Sequence, residues 1–153
     1  MNTQTTRPQI MGRRAELMAE LFLQDLGATF IASSANTNVP YDFFVGFTTA
    51  NGGLNTYAVE VKATEEPVSS RYSLQKKLID ALAQSNIPVL LLIADVKRNR
   101  LYYTWGDALA EMHKSNGGKR SLTVPVTEID DRVKEELRVK LRSKQLASSD
   151  SLR

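Results

Sequence analysis

Tyr41-Asp42-Phe43-Phe44-Val45-Gly46-Phe47, the turn Ala50-Asn51-Gly52-Gly53 and Tyr57-Ala58-Val59-Glu60-Val61-Lys62-Ala63-Thr64 decide how this chain folds. Both flanking segments are rich in aromatic and β-branched residues, and Asn and Gly between them supply turn chemistry, so the stretch predicts an antiparallel hairpin over 41–47 and 57–64. If the hairpin closes symmetrically about Asn51, position 42 falls opposite position 60, and opposed side chains lie roughly 5 Å apart. Two carboxylates that close repel each other unless a cation lies between them. Alternation along the second strand sends Glu60 and Lys62 to one face and Val59, Val61 and Ala63 to the other. Two acids and an amine would then cluster.

Outward from the hairpin, Leu17, Met18, Leu21, Phe22 and Leu26 recur at three- and four-residue spacing, which predicts a helix over 12–26 stopped by Gly27. Thr29–Ala32 predicts a short strand and 33–40 a loop. After the hairpin, 65–71 carries Pro67 and two serines and predicts a loop, with Ser73 as N-cap of a helix over 74–84. Val89-Leu90-Leu91-Leu92-Ile93-Ala94 is continuously apolar, the pattern of a sheet-centre strand covered on both faces. Lys97-Arg98-Asn99-Arg100 turns the chain into a strand over 101–105. A short helix over 107–113, a break at Asn116-Gly117-Gly118, a strand over 122–126 and a charged helix from Glu128 to about Leu146 complete the series. The fold class expected is α/β, a mixed central sheet flanked by helices. The organisation expected is a flexible arm over 1–10, one domain over 11–146 and a disordered tail over 147–153.

The 153 residues suffice for one domain with a substantial core. Twenty Lys and Arg against seventeen Asp and Glu give +3, which permits nucleic-acid binding without demanding it. The absence of cysteine excludes a disulfide framework and thiolate metal sites, and it fits a reducing cytoplasm. No apolar run approaches the roughly 20 residues of a membrane span. Nothing resembles a phosphate-binding glycine loop, a Gly-x-Ser-x-Gly turn or a cysteine nucleophile.

The triplet Glu60-Val61-Lys62 is common by chance, and charges on strand edges also serve to resist aggregation. Its context distinguishes it: an otherwise apolar strand, beside a strand whose one charge is Asp42. Together these residues resemble the PD-(D/E)xK nuclease superfamily, which includes restriction enzymes and Holliday junction resolvases. The resemblance runs from Gly12 to Trp105 and implies a restriction-endonuclease-like αβββαβ core, here with a further strand and a C-terminal helix. Asp42 matches the first acid, Glu60 the second, Lys62 the lysine and Glu16 the helical glutamate; Glu20, one turn on, is its rival. The sequence departs from the pattern at Tyr41, where a proline is usual, although Pro40 stands one place earlier. The resemblance implies a phosphodiesterase dependent on Mg²⁺, for which Mn²⁺ can substitute, with Asp42, Glu60 and the Val61 backbone carbonyl as metal ligands and Lys62 as the catalytic amine. It implies DNA as the expected substrate. A chain with so little beyond the core would need a homodimer to cut both strands, or a partner to choose the site. The alternative is an inactive nucleic-acid-binding or protein-interaction domain of the same fold.

Several basic and polar residues are candidates for nucleic-acid contact. Arg13 and Arg14 open a helix, where positive charge opposes the macrodipole. Gln75, Lys76 and Lys77 open the helix after the triplet, and Lys97, Arg98 and Arg100 form a basic turn. For each, ordinary solvated charge is the competing reading. His113 is expected at the surface, and Tyr102, Tyr103 and Trp105 are more often packing groups than base-stacking ones.

Overall fold

The computed structural model describes residues 4–34, 39–114 and 120–143. In chain order these form α1 (Arg7–Asp25), β1 (Phe30–Ser33), β2 (Phe43–Thr48), β3 (Leu54–Thr64), β4 (Arg71–Gln75), α2 (Lys76–Ala83), β5 (Val89–Asp95), β6 (Arg100–Trp105), α3 (Gly106–Lys114), β7 (Ser121–Pro125), β8 (Thr127–Glu128) and α4 (Asp131–Arg142). Six strands make one sheet in the order β1-β2-β3-β5-β6-β8, and β4 pairs with β7 in a separate two-stranded ribbon. Only β3 and β5 run parallel; the remaining pairings are antiparallel, so the sheet is mixed as expected.

β5, apolar from Val89 to Ala94, occupies the sheet interior, and its residues are buried from Val89 to Asp95. Leu90, Leu92 and Ala94 pack with Ala15, Ala19, Leu23 of α1 and Val133, Leu137, Leu141 of α4. Val89, Leu91 and Ile93 pack with Ile79 and Leu82 of α2, Leu109 of α3, and Leu74 and Val124 of the ribbon. Successive side chains thus enter two cores on opposite faces, which is why this strand carries no polar alternation. On β3, Val59 and Val61 join the first core and Ala58 the second.

The hairpin closes about Asn51. Thr48 pairs with Leu54 and the ladder continues in that register to Phe43 opposite Val59. The connecting turn is closed by Thr49 N–H on the Gly53 carbonyl (2.8 Å), with Gly52 at φ +88°, a conformation that suits glycine.

Three expectations need correction. Helix α1 begins at Arg7 rather than Gly12, so the arm expected over 1–10 is helical from Arg7: Thr6 donates its N–H to Gln9 Oε1 (2.9 Å), and Pro8 lies in the first turn, where no N–H is needed. Ser73 does not cap a helix. Residues 71–75 pair with 121–125 as the ribbon, and α2 starts at Lys76. Thr127 and Glu128 pair with β6, so α4 begins only at Asp131, where the Asp130 carboxylate accepts the Val133 N–H at 2.8 Å. The break expected at 116–118, the end of the last helix near Leu146 and the tail over 147–153 lie outside the described residues, as does the His113 side chain. Among the described residues no helix is long and apolar enough to cross a membrane.

Leu92 is fully buried where α1, α4 and the sheet meet. Leu92→Ala should lower the unfolding free energy by about 2–5 kcal/mol, read from urea denaturation followed by circular dichroism.

Candidate active site

Where β2 gives out, Asp42 takes over its edge. Its N–H donates to the Val59 carbonyl (2.8 Å), its carbonyl accepts from Ser34 N–H (2.9 Å), and its Oδ2 accepts from Val61 N–H (2.8 Å). A side chain thus replaces the ladder partner that Val61 would otherwise have on this side. In a strand the N–H and C=O of one residue point the same way, so the Val61 carbonyl also faces the side on which Asp42 lies.

Glu60 follows on the opposite face from Val59 and Val61. Its side chain is only 10% exposed, and 3.4 Å separates its Oε2 from Lys62 Nζ. Burial pushes its pKa up to about 8, helped by a hydrogen bond to the Asp42 carboxyl and by that group's negative charge, and opposed by Lys62. Lys62, 41% exposed, keeps its ammonium at the rim. The two acids and the amine therefore converge, as the hairpin register requires.

Glu16 is half-buried on α1. Its pKa is raised by burial and then by the charge of Asp42, while Arg13, 3.6 Å away, works against both. It senses Asp42 electrostatically. Yet among the described residues no three His, Cys, Asp or Glu side chains gather closely enough to hold an ion, so the converging set is Asp42, Glu60 and Lys62 with Glu16 further out. Glu20 makes no ion pair among the described residues.

The basic candidates do not gather into one patch. Arg14 reaches Asn99 Oδ1 (2.9 Å), tying α1 to the β5–β6 turn, and Lys76 pairs with Asp80 on its own helix (2.8 Å). Arg98 bonds Asp95 Oδ2 (3.1 Å) and the Glu65 carbonyl (3.3 Å), while Arg100 lies 4.0 Å from Glu128. Gln75 is exposed at the end of β4, and the Lys97 side chain has no partner among the described residues. Much of this charge is committed to tertiary contacts.

Two features escaped the sequence reading. Asp95, fully buried at the end of β5, accepts N–H bonds from Lys97 (3.1 Å) and Arg98 (3.0 Å). Burial alone would raise its pKa, but these N–H groups and the Arg98 guanidinium outweigh it and hold the pKa below the ordinary value. The signal was an Asp opening a turn that needs Asn99 at φ +56°. Arg7 also pairs with Glu65, fastening the start of α1 to the segment that leaves β3; only the fold brings those two residues together.

No family model matches the chain, and no curated protein matches it in sequence. Among solved structures, the bacterial homing endonuclease I-Ssp6803I aligns with a TM-score of 0.54 over 91% of this chain and 95% of that one, at 12% identity. The Holliday junction resolvase Hjc of Archaeoglobus fulgidus aligns with a TM-score of 0.44 over 82% and 88% of the two chains, at 19% identity. The likeness to the homing endonuclease is one of fold: the two chains share a mixed sheet flanked by helices.

A carboxyl whose pKa rises on folding takes up a proton between its ordinary value of 4.5 and about 8, so the folded state loses stability as pH climbs through that window. In chelator, the unfolding free energy should fall from pH 5 to pH 8.5 by on the order of 2 kcal/mol. Glu60→Gln should flatten that fall, as judged from urea midpoints across the pH series.

Proposed function

We propose that the chain is a metal-dependent nuclease that hydrolyses phosphodiester bonds in DNA, with Asp42, Glu60 and Lys62 as its catalytic set. The observation that carries this reading is the Glu60 carboxyl, buried and pressed against Asp42 beside a lysine. Such a pair is costly without a cation, because burial and like charge both oppose ionisation. The donor set fits a hard divalent ion: two carboxylates and the Val61 carbonyl are oxygen ligands, and Mg²⁺ ordinarily takes one or two carboxylates and completes its shell with water and phosphate. When bound there, Mg²⁺ or Mn²⁺ would polarise the scissile phosphate and lower the pKa of a coordinated water.

The remaining chemistry falls to the chain. Asp42, fixed by three backbone hydrogen bonds, defines where the phosphate must approach. Lys62 would orient the attacking water and stabilise negative charge building on the phosphoryl oxygens. The water oxygen bonds to phosphorus, the bond from phosphorus to the leaving sugar oxygen breaks, and that oxygen ends with a proton. Glu16 would act on the site through its field and through water rather than by touching the pair. One chain supplies one such centre, so a double-strand cut calls for a second copy or a second event.

A panel of plasmid, duplex, single-stranded, flapped and four-way DNA, with RNA as comparison, tests this reading in Mg²⁺ and Mn²⁺. Cleavage of DNA is expected only with the divalent ion, and Lys62→Ala should lower the rate about 100-fold or more. The ion should still raise the melting temperature of Lys62→Ala, and it should fail to do so for Asp42→Ala. Absence of cleavage on every substrate, with no metal-dependent melting shift, would leave only the fold.

A further inference from the structure

Beside the central sheet, the β4–β7 ribbon has two unlike faces. Tyr72, Leu74, Leu122 and Val124 point inward and pack into the core shared with α2, α3 and Ala58. Arg71, Ser73, Gln75, Ser121 and Thr123 are exposed, and the register sets Ser73 opposite Thr123 and Gln75 opposite Ser121. That outer face is made of a guanidinium, an amide, three hydroxyls and, opposite Arg71, the exposed Pro125 ring, without a carboxylate. Arg71 on β4, Lys77 at the start of α2 and Arg120 just before β7 are exposed beside this face, while Lys76 is paired with Asp80. Arg71, Lys77 and Arg120 thus put positive charge at the ribbon's margin.

From this we infer that the exposed face of the β4–β7 ribbon enters the major groove of duplex DNA and reads base sequence beside the cleavage centre. The inference rests on the nuclease reading above for its substrate, and adds to it where and how sequence is read. The major groove admits a two-stranded ribbon, and its base edges are read by these side-chain types: Arg to guanine, Gln to adenine, Ser and Thr to either. The deep, narrow major groove of RNA excludes such a ribbon, so DNA is the duplex it fits. Position favours it too. Glu60 and Lys62 share the face of β3 that carries Ala58, which packs in the same core as the ribbon's inner side. β4 begins nine residues after Lys62, and Val126 N–H on the Ser70 carbonyl (2.9 Å) and Lys76 N–H on the Arg120 carbonyl (2.7 Å) close the ribbon at its two ends. A strand pair anchored this way presents its outer side chains rigidly.

Binding can be tested separately from cutting. Full-length Lys62→Ala protein would be incubated with a random-core duplex DNA library in chelator, and bound duplexes sequenced over successive rounds. An enriched sequence is expected, bound about tenfold or more tightly than a scrambled duplex by fluorescence anisotropy. Adding Ser73→Ala, Gln75→Ala and Thr123→Ala should bring that ratio to within about twofold, while non-specific binding at low salt and the circular dichroism spectrum stay unchanged. Arg71→Ala alone should weaken the selected duplex more than the scrambled one. The inference is overturned if no sequence is enriched, if the preference survives the triple variant, or if single-stranded DNA or duplex RNA binds better than duplex DNA. Wild-type cleavage without sequence preference would sink the ribbon's role and spare the nuclease, whereas sequence-selective binding without cleavage would do the reverse.

Discussion

The register of the β2–β3 hairpin holds the acids together. Phe43, Val45 and Phe47 of β2 and Tyr57, Val59 and Val61 of β3 all enter the core beneath α1 and α4. A slip of one residue in either strand would turn that strand's three to the other face. Burying a single such side chain is worth roughly 1.5–3 kcal/mol, so three misplaced together outweigh the relief from parting two carboxyls. The hydrophobic pattern therefore imposes a polar arrangement that the polar groups would not choose for themselves. Asp42 is then pinned to β3 at the point where the ladder ends, its carboxylate on the Val61 N–H.

Two buried acids in this sheet end up with opposite chemistry, and their neighbours explain why. Asp95 meets two backbone N–H groups and a guanidinium at the end of β5, and these stabilise its charge more than burial destabilises it. Glu60 meets another carboxyl and a single, partly exposed ammonium, and its charge is disfavoured. Burial alone does not mark a working carboxyl. A buried acid whose partners fail to neutralise it is the better candidate, because folding stability gains nothing from the arrangement.

Local patterns made the hairpin, the apolar β5 and the first helix legible in the sequence, since each is specified by periodicity within a dozen residues. The acid pair followed from the hairpin by symmetry about Asn51. The ribbon did not, because β4 finds its partner about fifty residues further on. Locally, Ser73 before Leu74 and Leu78 imitates a capped helix equally well, and the alternation of Tyr72 and Leu74 settles as strand only when β7 supplies a partner. The helical turn before Gly12 was hidden in a simpler way, since Pro8, a residue type that can end a helix, also fits the first turn of one. Nor could the sequence tell which basic residues are free: Arg7, Arg14 and Arg98 find partners 33 to 85 positions away.

The two faces of the sheet differ in what they leave open. Helices α1 and α4 close one of them over a continuous apolar core. On the other, α2, α3 and the ribbon cover β5, while Glu60 and Lys62 continue along β3 past the covered Ala58. A duplex lying on that second face would meet the hydroxyls and amide of the ribbon and, along the same strand, the acid pair. Both are anchored to one packed core, with the inner ribbon side chains Leu74 and Val124 sharing a cluster with Leu91 and Ile93 of the strand that neighbours β3. Because such cores are close-packed and resist deformation, the spacing between the reading face and the acids is set by the fold itself. Sequence choice and bond cleavage can then be joined without a moving part.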